Sequence, residues 1–373
     1  MIPVAFHAPL KPPDHPQPSG DRTMGRLLLQ ALEQAGFAPE IASRLRTWEP
    51  AGNDAAQRSI AAASLAEAEA LTATYQALPV ERRPRLWFTY HCYYKAPDHL
   101  GPEVARRLRI PYVIAEASWA PKRASGPYAF AHAAAEAAIA RADLLLVMTE
   151  HDRLCLETAI RPGQRLVRLP PFVDALFPDI PEPARDPKAP PRLLAVAMMR
   201  EGDKLASYRL LAEGLARIQH LPWTLDIAGD GPARPEVEQL FAPFGQHVAF
   251  AGTQDPDGLT RLYRRADLLV WPAVNEAYGM VLLEAQAHGC PVVAGRHGGV
   301  PDVVQHGVTG LLTPPGDMAL FAAAIETLLA DPARRAEMGS AASRFVRSER
   351  SLDQAARILR EALVPLLGIP VAA

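Results

Sequence analysis

The stretch DLLVWPAVNEAYGMVLLEAQAHGCPVVAG, residues 267–295, carries a complete folding unit in its own letters. The apolar run 268–271 stops at Trp271-Pro272, because proline cannot donate to a sheet ladder. A polar loop follows, and a helix is expected from 279 to 288. Gly289 breaks that helix, and a second apolar run, 291–294, begins at once. Strand, loop, helix, strand in under thirty residues is the repeat of a parallel sheet.

Outward from this unit the same rhythm continues in both directions. The predicted strands are 2–6, 39–42, 85–91, 112–115, 144–148 and 166–169, then 193–198, 224–228, 248–251, 268–271, 291–294 and 310–312. Helical periodicity lies between them at 24–35, 59–77, 205–219, 234–244, 257–265, 279–288 and 317–329. Strands alternating with helices imply sheets covered on both faces. The proline-rich segment 171–192, PFVDALFPDIPEPARDPKAPPR, interrupts the pattern and reads as a linker, with the boundary near residue 178. The expectation is an α/β protein of two doubly wound, Rossmann-like domains, 1–178 and 179–351, facing across a cleft. A last helix, 352–367, follows. Its periodicity does not say where it docks, and packing of 352–373 back onto the first domain is the expectation.

Composition narrows the function. The chain has 373 residues, 49% of them hydrophobic and 21% charged, with a net charge of −2. That describes a globular protein with a real core and no global basic field for nucleic acid. Three distant cysteines, Cys92, Cys155 and Cys290, exclude a disulfide framework and a zinc knuckle and fit a reducing compartment. Neither a signal peptide nor a spanning helix is read, so a cytoplasmic protein is expected. The clusters Arg82-Arg83-Pro84-Arg85 and Arg106-Arg107-Leu108-Arg109 leave peripheral contact with the inner face of a membrane open.

Functional groups in such folds follow the carboxyl ends of the strands. Glu276 stands before the helix of the opening unit, and Glu284 lies eight residues further on. The N–H groups of Tyr278, Gly279 and Met280 are helix-start donors that suit an anion, and Gly279 lets a ligand approach the backbone. Carboxylates beside a phosphate site suit sugar hydroxyls, which donate to them. Either glutamate also reads as an ordinary helix residue. A second loop, after the strand at 193–198, holds Arg200 and Lys204. Two cations there can neutralise a diphosphate. A solvated surface loop is the plainer reading. Asp255-Pro256-Asp257 suggests a metal motif, but its place before a helix makes N-capping the expected role. No metal site is expected.

The residues 276–284, EAYGMVLLE, resemble the E-x7-E motif of retaining glycosyltransferases of the GT-B fold, family four, the "glycosyl transferases group 1". Segments 226–240 (DIAGDGPARPEVEQL), 250–276, 297–317 (HGGVPDVVQHGVTGLLTPPGD) and 168–177 (RLPPFVDALF) resemble that family's other signatures, in the right order. The resemblance implies that Glu276 holds the transferred sugar, that Glu284 holds the ribose, and that the backbone from Ala277 to Met280 touches sugar and phosphates. It implies that Lys204 and Arg200 neutralise the departing diphosphate, although Met198-Met199-Arg200 replaces the family's Gly-Arg. The loop with Gly20 would approach the diphosphate from the first domain, while Ser19 or Asp21 equally reads as an N-cap. His91 would stand by the sugar or acceptor, and it equally reads as structural. Glu116 and Ser118 would face the acceptor.

The implied reaction transfers a sugar from a nucleotide-diphosphate sugar to an acceptor hydroxyl, with retention and without metal or cofactor. The acceptor is a glycan, a lipid-linked molecule or a small molecule. Other readings are a nucleotide-sugar epimerase, a phosphorylase, or a non-catalytic nucleotide-sugar-binding protein.

Overall fold

The computed structural model describes residues 1–175 and 189–368. The chain forms two compact units, one of residues 1–170 with 352–373, the other of residues 171–351. The boundary expected near residue 178 lies outside the described residues, and the units part at Pro170 and Pro171.

The first unit is built on a six-stranded parallel sheet. Its strands are β1 (Ile2–His7), β2 (Phe37–Ser43), β3 (Leu86–Cys92), β4 (Tyr112–Ala117), β5 (Leu144–Val147) and β6 (Arg165–Arg168), in the order β2-β1-β3-β4-β5-β6. All six residues of β4 and all four of β5 are buried. This is why β5 and residues 112–115 of β4 read as unbroken apolar runs rather than alternating ones. The edge strand β6 is half-buried, with arginine at both ends. Helices α1 (Gly20–Gln34), α2 (Asp54–Ala77), α3 (Gly101–Leu108), α4 (Ala129–Arg141) and α5 (Glu150–Glu157) join the strands.

The second unit repeats the plan with a different strand order. Its strands are β7 (Arg192–Val196), β8 (Thr224–Ala228), β9 (Val248–Gly252), β10 (Leu268–Trp271), β11 (Val292–Gly295) and β12 (Gly310–Thr313). The order β12-β11-β10-β7-β8-β9 is the double-wound arrangement of dinucleotide-binding sheets, with its topological switch between β7 and β10. Helices α6 (Asp203–Ala216), α7 (Arg234–Phe241), α8 (Pro256–Arg265), α9 (Met280–Ala287), α10 (Val300–Val303), α11 (Met318–Ala330) and α12 (Pro332–Glu349) cover it. The last helix, α13 (Leu352–Leu363), belongs to the first unit. There it meets α1: Gln34 donates to Asp353 at 2.5 Å, and Arg360 donates to the Ala35 carbonyl at 3.3 Å.

All twelve predicted strands are present, with ends displaced by at most two residues. Helix α1 begins at Gly20 rather than residue 24, because Ser19 caps it by accepting from the Arg22 N–H at 3.3 Å. Helices α3, α5, α10 and α12 escaped the periodicity; the apolar stretch 128–140, which reads as helical in the sequence, holds α4. The start of α3 explains one omission: Asp98, not an adjacent residue, accepts from the Leu100 and Gly101 N–H groups at 2.9 and 2.8 Å. Its other oxygen accepts from the Tyr112 hydroxyl at 2.9 Å. That cap is spread over three elements and leaves no local signature.

No described helix is long and apolar enough to cross a membrane. The arginine clusters carry internal contacts. Arg106 and Arg107 pair with Glu103, Arg107 also with Glu69, and Arg83 donates to the Leu78 and Gln76 carbonyls behind α2.

Candidate active site

In the second unit the loops that leave β7 and β10 enclose a cavity of about 200 Å³. Its lining includes Met198, Arg200, Asp203, Lys204, Asn275 and Glu276. It lies at the switch point of the sheet, where two loops diverge and leave a crevice. Three of the residues named from sequence, Arg200, Lys204 and Glu276, therefore meet there.

The loop after β10 is tightly wound. Ala273, Asn275 and Gly279 all have positive φ, at 57°, 50° and 78°. Such conformations persist only where the surroundings hold them. The holding groups are visible. The Val274 N–H donates to Ser207 on α6 at 3.0 Å, and Asn275 donates to Asp203 at 3.0 Å. The winding turns Glu276 back over Gly279 and toward α6. Lys204, in the first turn of α6, meets its carboxylate at 2.5 Å. The Trp271 indole N–H also approaches the same oxygen, at 3.5 Å, and its ring lies 5.7 Å from the Lys204 ammonium. Both charged side chains are partly buried, at 28% and 17% exposure, so water screens the pair only in part.

The remaining members of the E-x7-E segment are placed by α9. Helix α9 is apolar nearly all round, and six of its eight residues are buried. Tyr278 and Met280 are buried at its start beside Gly279, with Ala277 just before them. The Ala277 carbonyl accepts from the Gly299 N–H at 2.6 Å. Glu284 lies a turn further on and is not among the residues lining the cavity. It is half-buried against α8, where the Tyr263 hydroxyl donates to its Oε2 at 2.7 Å. Burial pushes the Glu284 carboxyl above its usual range, and the Tyr263 bond opposes the shift. Asp255 has the bland role assigned to it: it caps α8 by accepting from the Gly258 N–H at 2.7 Å. Among the described residues, no cluster of histidine, cysteine or acidic side chains is grouped to hold a metal ion.

The Met198-Met199 departure is absorbed by backbone bonds. The Met199 N–H donates to the Asp230 carbonyl at 2.9 Å, and its carbonyl accepts from Ala233 at 3.0 Å. Gly229 and Gly231 make this closeness feasible: a Cβ at Gly229 would lie 1.9 Å from the Ala197 carbonyl oxygen. The side chain after β7 can vary because its main chain makes the contact.

In the first unit the carboxyl ends of β1, β3 and β4 gather a second polar group. His91 lies next to the end of β3 at φ 60°, and Glu116 near the end of β4 at φ 59°. Asp21, at the start of α1, bonds the His91 Nδ1 at 3.0 Å, and Glu116 Oε1 stands 3.9 Å from the same nitrogen. Of the two N-cap candidates, Ser19 does the capping and Asp21 reaches to His91. Ser118 donates to Asp152 at 2.9 Å. Gly20 is exposed, with open space where a Cβ would stand.

Burial alone would depress the His91 imidazolium. Glu116, Asp21 and Asp152 outweigh it and lift the group to about 9. Burial raises Glu116 to about 7 despite His91. Burial would raise Asp21, but His91 and Lys11 pull it below its ordinary value of 3.8. His91 and Glu116 thus bind protons more tightly folded than unfolded. Their contribution to stability is complete at low pH and is lost as pH climbs through about 7 for Glu116 and about 9 for His91. The Asp21 contribution is lost instead as pH falls through its depressed value. The expected result is a thermal midpoint that declines from about pH 6 to 9, with a shallower decline in His91→Gln. Identical slopes in the two proteins would contradict the charged pairing.

Three features of these sites were not read from the sequence: the Trp271 wall, the Tyr263–Glu284 bond and the Asp21–His91 pair. Trp271 stood in view as the end of the opening strand. The other two join residues 21 and 70 positions apart, for which a single sequence carries no signal.

Residues 190–331 match the family profile described as "Glycosyl transferases group 1". The D-inositol 3-phosphate glycosyltransferase of Streptomyces bingchenggensis is 32% identical over 297 residues, covering 70% of this chain and 63% of that protein. The sulfoquinovosyl transferase of Arabidopsis thaliana is 42% identical over 117 residues, covering 31% of this chain and 22% of its own length. The chain thus spans less than two thirds of the curated relatives it matches. Among solved structures, the sucrose-phosphate synthase from Thermosynechococcus elongatus superposes with a TM-score of 0.74 at 20% identity, covering 99% of this chain and 100% of that one. Anabaena Alr3699/HepE in complex with UDP and glucose gives a TM-score of 0.69 at 16% identity, covering 98% and 100%. These two likenesses concern the fold, which is the GT-B plan of paired Rossmann-like sheets. The crevice at the switch point lies within the stretch, residues 190–331, that matches the glycosyl transferases group 1 family.

Proposed function

We propose that the chain is a glycosyltransferase that moves a sugar from a nucleotide-diphosphate sugar to an acceptor hydroxyl, with retention of anomeric configuration and without a metal ion. The observation that carries the reading is the meeting of Lys204, Arg200 and Glu276 in one crevice, with Lys204 and Glu276 2.5 Å apart. A diphosphate needs cations, and a sugar's hydroxyls need acceptors. The pair offers both side by side.

In this reading the bond between the anomeric carbon and the phosphate oxygen breaks first. Lys204, Arg200 and the N–H groups at the start of α9 receive the departing charge. Preorganised donors of this kind typically contribute about 3–4 kcal/mol each. Glu276 accepts hydrogen bonds from the sugar and so fixes the anomeric centre. The acceptor oxygen then bonds to that carbon from the same face, and its proton passes to the departing phosphate. His91, Glu116 and Ser118 supply donors and acceptors for the acceptor molecule. The curated relatives act, by name, on an inositol phosphate and in sulfoquinovosyl transfer, so small polyol phosphates are the first acceptors to try.

The test is purified protein with UDP-, GDP- and ADP-sugars and a panel of such acceptors, with products read by mass spectrometry and NMR. An α-linked product from an α-linked donor, formed equally well with a chelator present, is the expected result. A β-linked product overturns retention, and loss of activity in chelator overturns the metal-free step. Epimer formed from donor alone would replace transfer by epimerisation. Glu276→Ala is expected to lower turnover about 10- to 100-fold, the worth of a charged hydrogen bond. The nucleoside diphosphate should bind at least as tightly as before, because Lys204 no longer has a carboxylate to leave. A parallel loss of nucleotide affinity, followed by calorimetry, would place Glu276 on the nucleotide instead of the sugar.

A further inference from the structure

Glu284 is set apart from the cavity by a small closed arrangement of its own. Tyr263, on α8, is 2% exposed and donates its hydroxyl to Glu284 Oε2 at 2.7 Å. The Tyr263 ring stacks on His288, with centroids 5.3 Å apart and planes 22° from parallel. His288 in turn donates from Nδ1 to the Glu284 backbone carbonyl at 2.7 Å. A carbonyl only accepts, so that nitrogen carries the proton. Side chain, phenol, imidazole and main chain thus form a ring of contacts around one carboxylate. Glu284 Oε1 stands outside the ring and has no hydrogen bond to any described residue.

We propose that Tyr263 is the positioning residue for donor recognition: it clamps one oxygen of Glu284 so that the other meets a ribose hydroxyl. The inference rests on the reading of Glu284 as the ribose ligand. A glutamate on two methylenes loses rotamer freedom when it binds a ligand, and an existing hydrogen bond removes most of that cost beforehand. A phenol suits the task. It donates to the carboxylate, offers no charge to compete for the ligand, and is itself fixed by the stacked imidazole. A tyrosine that only satisfies a buried carboxylate would leave ribose preference unchanged when its hydroxyl is removed. That difference makes the two roles separable.

The experiment is calorimetric titration with UDP, GDP and ADP, followed by the 2′-deoxy and 3′-deoxy forms of whichever binds most tightly. The wild type is expected to prefer the ribonucleotide over at least one deoxy form about 10- to 100-fold, as befits a charged hydrogen bond. Tyr263→Phe keeps the stacked ring and removes the hydroxyl. It should shrink the preference to about 3-fold or less while binding of the deoxy form and the thermal midpoint stay near wild type. Tyr263→Leu gives the same readout in a second packing should Tyr263→Phe fold poorly. Glu284→Ala should abolish the preference. If Glu284→Ala abolishes it and neither Tyr263 variant reduces it, the inference fails and the reading of Glu284 stands. If the wild type shows no ribose preference, or binds none of the three nucleotides, that reading falls and takes the inference with it.

Discussion

Lys204→Ala is expected to lower turnover about 100- to 1,000-fold, with the protein still folded. The size follows from removing one preorganised charge at a leaving group, where single donors are worth roughly 3–4 kcal/mol. Retention of the fold follows from where the residue stands. Lys204 lies in the first turn of α6, and its ammonium pairs with Glu276. The burial of α6 runs through Leu205, Tyr208, Leu211 and Leu215, which the substitution leaves alone. Glu276 keeps the Trp271 indole N–H nearby and remains partly open to water. The measurement is initial rate against donor concentration, beside a thermal melt. The loss should fall on kcat more than on KM, because charge on the bridging oxygen grows as the bond breaks. Lys204→Arg should recover only part of the rate, since a planar fork does not replace a compact ammonium 2.5 Å from its partner. A rate within a factor of two of wild type for Lys204→Ala would remove the leaving-group assignment.

The second large effect is expected from a residue with no functional group. Gly298 has φ +46°, and a Cβ built there would fall 2.2 Å from the Glu276 carbonyl oxygen. Gly298→Ala therefore cannot be accommodated without moving the main chain on which Glu276 is mounted. Overpacking and left-handed strain together cost about 2–4 kcal/mol. The predicted outcome is a lower denaturant midpoint and a loss of turnover as large as that of Glu276→Ala, although residue 298 supplies no chemistry. The Gly299 N–H, bonded to Ala277 at 2.6 Å, moves with it. If Gly298→Ala were destabilised yet turned over normally, the exact seat of Glu276 would not matter to the reaction.

What could be read in advance follows from where each signal resides. The two sheets were legible because strands buried on both faces, such as β5 and residues 112–115 of β4, read as continuous apolar runs. The crevice residues were legible because chemistry in such sheets collects after the strands, and Arg200, Lys204 and Glu276 all stand there. Helices α3 and α12 were not legible: α3 takes its cap from Asp98 across a turn, and α12 follows α11 through the shared residue Asp331. The Gly-Arg departure looked more serious in letters than it is in space, because the Met199 main chain makes the bonds. The Asp21–His91 and Tyr263–Glu284 pairs are products of tertiary packing, and no local spacing encodes them.

Helix α13 carries a consequence for how the protein is made. It supplies Ala355, Ala356, Leu359 and Leu363 to the core of a unit whose other residues end at Pro170. On a ribosome, that amino-terminal unit is synthesised early but waits for its last helix until some 180 further residues have emerged, a delay on the order of 10–40 s at common elongation rates. The unit between them is continuous in sequence and has no such wait. The order of maturation is then the reverse of the order of translation, and a nascent chain stalled before residue 352 would present a bare flank on α1 to chaperones.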